Sequence, residues 1–175
     1  CAGSMMTEQL RRQRVLLALD VYEAASATLT MEAWCLKSGL VSGPTALSVR
    51  TVTTAMSDPP ESAAGVLPAT EGRKYRAVEL LCGKIVVARA ENWYVPARLD
   101  ARMNRTLDST NIPFGRVVKP LGIWRETLER RILWRGYSRP APAAPVLRHV
   151  AVVRRRDGVA LSVVSETFLA ALLGC

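Results

Sequence analysis

Read for the spacing of its apolar and polar positions, the chain divides into helical, extended and turn-rich stretches. Val15, Leu16, Leu19 and Tyr22 recur at the 3.6-residue period with Arg11, Arg12 and Arg14 on the other side, which predicts a helix over 7–27. A second, short helix is predicted after Ser26 or Thr28, carrying Leu29, Met31, Ala33, Trp34 and Leu36 to a stop at Ser38-Gly39. The β-branched alternation of Ala46–Met56 predicts a strand, and Pro59, Pro60 and Pro68 predict a loop over 57–72. Over Lys74–Cys82 a strand is predicted with Arg76, Val78 and Leu80 on one face. Gly83-Lys84 turns the chain, and Ile85–Tyr94 returns until Val95-Pro96, where proline cannot donate to a ladder.

Beyond that hairpin, a helix is predicted over 98–107, a turn over 108–111, and a short element from Ile112 to about Pro120. Ile123–Trp134 fits two patterns. Its charges at i,i+3 and i,i+4 suit a surface helix, which the periodicity prefers, while a solvated strand is the alternative. Pro140, Pro142 and Pro145 make 138–145 a linker.

The two final apolar runs, Val146–Val153 and Val159–Leu169, flank Arg154-Arg155-Arg156-Asp157-Gly158. Asp-Gly between β-rich runs is a strong hairpin signal, because both turn positions need φ > 0. The second run holds one acid, Glu166, whose ionised form is costly among apolar neighbours unless it is paired. A two-residue turn places His149 opposite Glu166, and a three-residue turn places Arg148 there. A structural ion pair at the sheet end explains such an acid as simply as a functional site does.

Strands interrupted by short helices, without a βαβ rhythm, predict an α+β fold: an antiparallel sheet flanked by helices. The 175 residues suit one domain. Gly3-Ser4 ahead of Met5 resembles a cloning remnant, so residues 1–6 are expected outside the fold and 7–175 within it. No apolar run approaches the ~20 residues that span a bilayer, and no basic-then-apolar leader is visible. The four cysteines, Cys1, Cys35, Cys82 and Cys175, have no metal-ligand spacing and read as reduced thiols of a cytoplasmic protein, with no metal expected.

Charge changes the picture next. The net charge is +9, but the 24 Lys and Arg are scattered, and with 6% aromatic residues there is no basic–aromatic alternation for base stacking. A small, multiply charged anion is the more economical partner, and specific nucleic acid is not expected. No phosphate-binding glycine loop, nucleophile elbow or zincin motif occurs.

Four places carry a resemblance: Arg76-Ala77-Val78-Glu79-Leu80-Leu81-Cys82; the returning strand ending Trp93-Tyr94-Val95-Pro96; Ile112-Pro113-Phe114-Gly115-Arg116 followed by Arg125; and Gly158–Leu169 with its Ser165-Glu166-Thr167-Phe168. In that order the chain resembles the chorismate lyase family, whose fold is shared with effector-binding domains of some bacterial repressors. The resemblance favours a strand at Ile123–Trp134. It implies elimination of pyruvate from chorismate to leave 4-hydroxybenzoate, driven by aromatisation and needing no cofactor. Arg76 is then the carboxylate-binding arginine and Glu166 the proton-transfer residue, with Trp34, Asn92, Phe114, Gly115, Arg125 and His149 around the substrate. Two departures stand out. Placing Arg76 in the pocket needs a one-residue shift near Gly83, without which Ala77 takes its place, and Asn92 stands where the family's second arginine falls. Asn92 favours a second reading, a non-catalytic domain binding an aromatic acid, as a monomer or homodimer. Against that second reading, no helix-turn-helix segment is recognisable ahead of the domain; a nucleic-acid-associated protein, supported only by charge, ranks third. Core packing explains Trp34 and Phe114 as well as ligand contact does, and a satisfied strand histidine explains His149.

Overall fold

Six strands form one antiparallel sheet in the order β1-β2-β3-β6-β5-β4. The computed structural model describes residues 2–136 and 138–174. Cys1 and Cys175, two of the cysteines read as thiols, lie outside them. The strands are β1 Ser48–Thr51, β2 Lys74–Cys82, β3 Ile85–Tyr94, β4 Trp124–Ile132, β5 Pro145–Arg154 and β6 Ala160–Leu169. The helices are α1 Ala2–Glu23, α2 Ala27–Lys37, α3 Ala101–Ser109 and α4 Phe114–Val118. The class is α+β, an antiparallel sheet flanked by helices, as the alternation of elements predicts. No described helix is long and apolar enough to cross a membrane.

Two bulges set the registers that matter. Gly83, at φ +60, turns β2 into β3; past it Leu81 pairs with Val86 but Leu80 with Ala88, so Val87 is the extra residue. That bulge supplies the one-residue shift and puts Arg76 opposite Asn92. At the other hairpin, Arg155 N donates to Val159 O (2.8 Å), which closes a three-residue turn over Arg156-Asp157-Gly158. Such a turn alone would bring Arg148 to Glu166. Instead Arg154 pairs with Ala160 and Val153 with Ser162, and the extra Leu161 restores His149 opposite Glu166. Gly158 sits at φ +88, in a region L side chains rarely enter. Gly158→Ala is expected to cost about 1–2 kcal/mol in urea unfolding, although a Cβ there would meet no neighbour.

Helices cover one face of the sheet in two groups. Leu17 and Val21 of α1 and Met31 and Cys35 of α2 pack on Leu80, Ala88, Leu147 and Phe168, while Met103, Leu107, Phe114 and Val118 of α3 and α4 pack on Tyr94, Ala151, Val153 and Val164. The loop over 57–72 closes part of the opposite face, where Ala63 and Leu67 meet Trp93, Val150, Val152 and Val163. The indole N–H of Trp93 donates to Ser57 O (2.6 Å) and ties that loop down.

Several predicted bounds move. Helix α1 begins at Ala2 rather than residue 7 and ends at Glu23. Only Ser48–Thr51 of the predicted strand 46–56 is β, because the ladder with β2 stops there; one further bond, Val52 N to Ala77 O (2.9 Å), follows it, and 52–56 run exposed. The helix predicted from Arg98 starts at Ala101, where Asp100 accepts a hydrogen bond from Met103 N (2.7 Å) as its cap. Periodicity prefers a helix at 123–134, yet the segment is β4, because it satisfies the outer edge of the buried strand β5.

Candidate functional site

Between the two helix groups the sheet is left uncovered, and a cavity forms there. Its floor is read off the ladder as neighbouring columns: Arg76 and Val78 on β2, Asn92 and Ala90 on β3, Val164 and Glu166 on β6, Val153 on β5 and Arg125 on β4. Its roof is the α1–α2 junction, residues 25–28, together with Pro113, Phe114 and Gly115. The cavity volume is about 50 Å³. That is room for a few waters, so a larger ligand needs the roof to lift.

The predicted site residues Arg76, Asn92, Phe114, Gly115, Arg125 and Glu166 all line this cavity. Arg125 donates through Nη2 to Glu166 Oε2, with side chains 2% and 11% exposed, so the acid finds its partner two strands away rather than on the adjacent strand. Ala151 and Val153 between them leave room for the long guanidinium arm to cross β5. The Nε of Arg125 is buried without a partner. Arg76 is half-buried and donates long bonds to the carbonyls of Ile112 (3.4 Å) and Thr110 (3.3 Å). Among the described residues it makes no salt bridge; nearby Asp108 is engaged by Lys74 at 2.9 Å. Burial pulls the Arg76 pKa below its ordinary value, opposed by Tyr94 and Asp108.

Asn92 is 4% exposed, and neither its amide nitrogen nor its oxygen has a hydrogen-bond partner. Buried polar groups are nearly always satisfied, so an orphaned amide lining a cavity points to a missing partner.

Two predicted residues lie elsewhere. Trp34 is packed in the α1–α2 core; its indole donates to Asp20 Oδ2 (2.8 Å) and the Lys37 ammonium sits 4.0 Å from its ring centroid. His149 does face Glu166 across the ladder, but the Arg125 arm takes the carboxylate, and His149 lines a separate cleft beside α1. The imidazole is fully buried, edge-on to Phe168 at 5.6 Å, with neither nitrogen bonded.

Sequence reasoning missed the roof at Ser26 and Thr28. A Cβ on Gly115 would lie 3.2 Å from the Ser26 and Thr28 hydroxyls, so glycine lets α4 approach the start of α2. Ser26, the residue ahead of α2, caps it with no side-chain hydrogen bond, which leaves first-turn amides at the cavity rim. Glu32 of α2 pairs with Arg116 of α4 and accepts from Leu47 N (2.8 Å), latching the roof. Only Gly115 signalled this meeting locally; the rest depends on packing between distant segments.

Among the described residues no group of three or more His, Cys, Asp or Glu is arranged to hold a metal. Cys35 and Cys82 are free, buried thiols, and burial, then a hydrogen bond that the Cys35 thiol donates to Cys82, pushes the Cys35 thiol up, away from reactivity.

No family model matches the chain. The uncharacterized protein y4mC of Sinorhizobium fredii is 36% identical over 184 residues, covering 91% of this chain and 76% of that protein. Among solved structures, YydK, a possible transcriptional regulator of Bacillus subtilis, matches 70% of this chain and 57% of its own at 12% identity and a TM-score of 0.47. The chain thus spans little more than half of YydK. A ligand-binding domain ascribed to a GntR-family regulator of Bordetella bronchiseptica matches 70% and 84% at 13% identity and a TM-score of 0.48. PhnF of Mycobacterium smegmatis matches 71% and 58% at 12% identity and a TM-score of 0.48. The sequence relationship with the Sinorhizobium protein is the one that defines kinship: the chain belongs to the same family as y4mC.

Proposed function

We propose that the cavity, with its roof lifted, binds a small organic acid, an aromatic carboxylate by its lining, and that the chain works as a ligand-binding module. The observation that carries this reading is the orphaned Asn92 amide, a buried donor and acceptor awaiting a partner. Two guanidinium groups, Arg76 and Arg125, face one carboxylate, Glu166, so the lining has an uncompensated positive charge. Arg76 is the natural carboxylate ligand, because no acid of the protein competes for it among the described residues. Val78, Ala90, Phe114 and Val164 supply an apolar body.

Calorimetric titration with 4-hydroxybenzoate tests this. Saturable binding is expected, weakened at least tenfold (about 1.4 kcal/mol) by Arg76→Ala and by Asn92→Leu. Asn92→Leu is also expected to raise the stability of the ligand-free protein by about 1 kcal/mol, since it removes two unsatisfied buried atoms. If both folded variants bind as tightly as the parent, the cavity is not the site.

A second reading rests on Arg76 and Glu166 lining one cavity, the two residues the chorismate lyase resemblance assigns to catalysis. In that reading Arg76 orients a carboxylate of chorismate and Glu166 transfers a proton during loss of pyruvate. Release of pyruvate and 4-hydroxybenzoate from chorismate, abolished in Glu166→Gln, would establish it. Binding of 4-hydroxybenzoate with no pyruvate released leaves the module reading standing alone.

A further inference from the structure

A second opening lies between α1 and the outer strands β4 and β5, and it shares no lining residue with the first. Its volume is about 310 Å³, against about 50 Å³ in the first cavity, which brings it into the range of ligand pockets. Val15 and Leu19 of α1 and Ile132 of β4 form an apolar rim, 48%, 43% and 50% exposed. The polar lining is all basic: Arg14, Arg130, Arg131 and His149, with no acid among the lining residues.

Two of these groups are buried and incompletely satisfied. Arg14 is 9% exposed; it donates through Nη1 to the Trp134 carbonyl while its Nε has no partner. His149 is 0% exposed with both ring nitrogens unbonded. Arg131 is engaged by Glu129 at 3.3 Å, and Arg130 lies 4.6 Å from the Tyr22 ring centroid with no carboxylate partner among the described residues.

We propose that this cleft is a second, independent binding site, for a carboxylate carried on an apolar chain. Its head group would meet Arg14 and Arg130, and its tail would cover Val15, Leu19 and Ile132. The charge pattern disfavours a basic occupant, and the apolar rim disfavours a bare inorganic anion. The inference does not depend on the first cavity having a ligand.

Octanoate is the probe, titrated into the full chain by calorimetry with 1-octanol as its uncharged counterpart. Saturable one-to-one octanoate binding is expected, with octanol at least tenfold weaker. Arg130→Glu and Leu19→Glu, both at exposed positions and so compatible with folding by circular dichroism, should each weaken octanoate at least tenfold. Saturating 4-hydroxybenzoate should not displace it. Absence of saturable binding, unchanged affinity in both variants, or displacement by 4-hydroxybenzoate would overturn the proposal, the last by placing octanoate in the first cavity.

Discussion

Arg125→Met is expected to lower the unfolding free energy by about 3–5 kcal/mol, because it strands the Glu166 carboxylate in the cavity floor without its guanidinium. The pair itself is a weaker source of stability than that figure suggests. Both side chains are withdrawn from water, and Arg125 Nε is left unsatisfied, so desolvation offsets much of the attraction. The double variant Arg125→Met, Glu166→Leu should therefore lie within about 1 kcal/mol of the parent, or above it. Urea unfolding of the four members of this cycle measures both quantities, provided the dependence on denaturant is unchanged. A double variant as unstable as the single would show that the ion pair is a net stabiliser. If the pair instead contributes little to stability, its place in the cavity is better understood as ligand chemistry, with an acid and a guanidinium held ready under a latched roof.

Acidification should expose His149 next. Its pKa is held to about 4 in the folded chain, against 6.5 for the free side chain, by burial first and then by Arg125 and Arg130. Glu166, its ladder partner, is the one facing acid, and it is turned to Arg125. Because the folded-state value is depressed, the unfolded chain takes up the proton more readily. Stability is therefore full above pH 6.5, falls as the pH drops from 6.5 to 4, and loses nothing further from this residue below that. The shift corresponds to about 3 kcal/mol. Glu71, Glu79 and Asp157 are held low by Arg98, Arg50 and Arg155, so their contributions are lost as the pH falls from the ordinary carboxylate value to below it, at the acid end of the His149 window and beyond. His149→Leu should flatten the loss between pH 6.5 and 4 while matching or exceeding the parent at pH 7, since two unbonded nitrogens are removed. A parent-like slope in that variant, measured by urea midpoints across the window, would assign the acid sensitivity elsewhere.

The two cavities also bear on how ligand and stability trade against each other. Asn92, Arg14 and His149 all hold buried polar atoms without partners, and all three line an opening. Other buried groups away from the openings are satisfied, as where Trp34 reaches Asp20 and Trp93 reaches Ser57, but Asn104 Oδ1, Thr127 Oγ1 and Ser162 Oγ lack partners and line neither opening.

Local pattern was enough to read most of the sheet. The alternation in Lys74–Cys82 and Ile85–Tyr94, punctuated by Gly83 and Pro96, gives β2 and β3 with their observed bounds, because period-two burial and turn residues are local properties. The same holds for the final hairpin and for the basic side chain opposite Glu166, though a three-residue turn plus a bulge at Leu161 produced the register that a two-residue turn alone would have given. Arg76, Asn92, Phe114, Gly115, Arg125 and Glu166, grouped as candidate site residues by their order along the chain and the family resemblance, line one cavity. Distance-dependent facts were not. The shortening of β1 reflects the end of its ladder with β2 at Thr51, and the choice of strand over helix at 124–132 reflects β5's need for an outer neighbour. The capture of Glu166 by Arg125 in place of His149, and the loss of Trp34 to Asp20, depend on which side chains three-dimensional packing brings within reach. Spacing along one strand places a side chain on a face; only the neighbouring strands and the helices above them determine what that side chain meets.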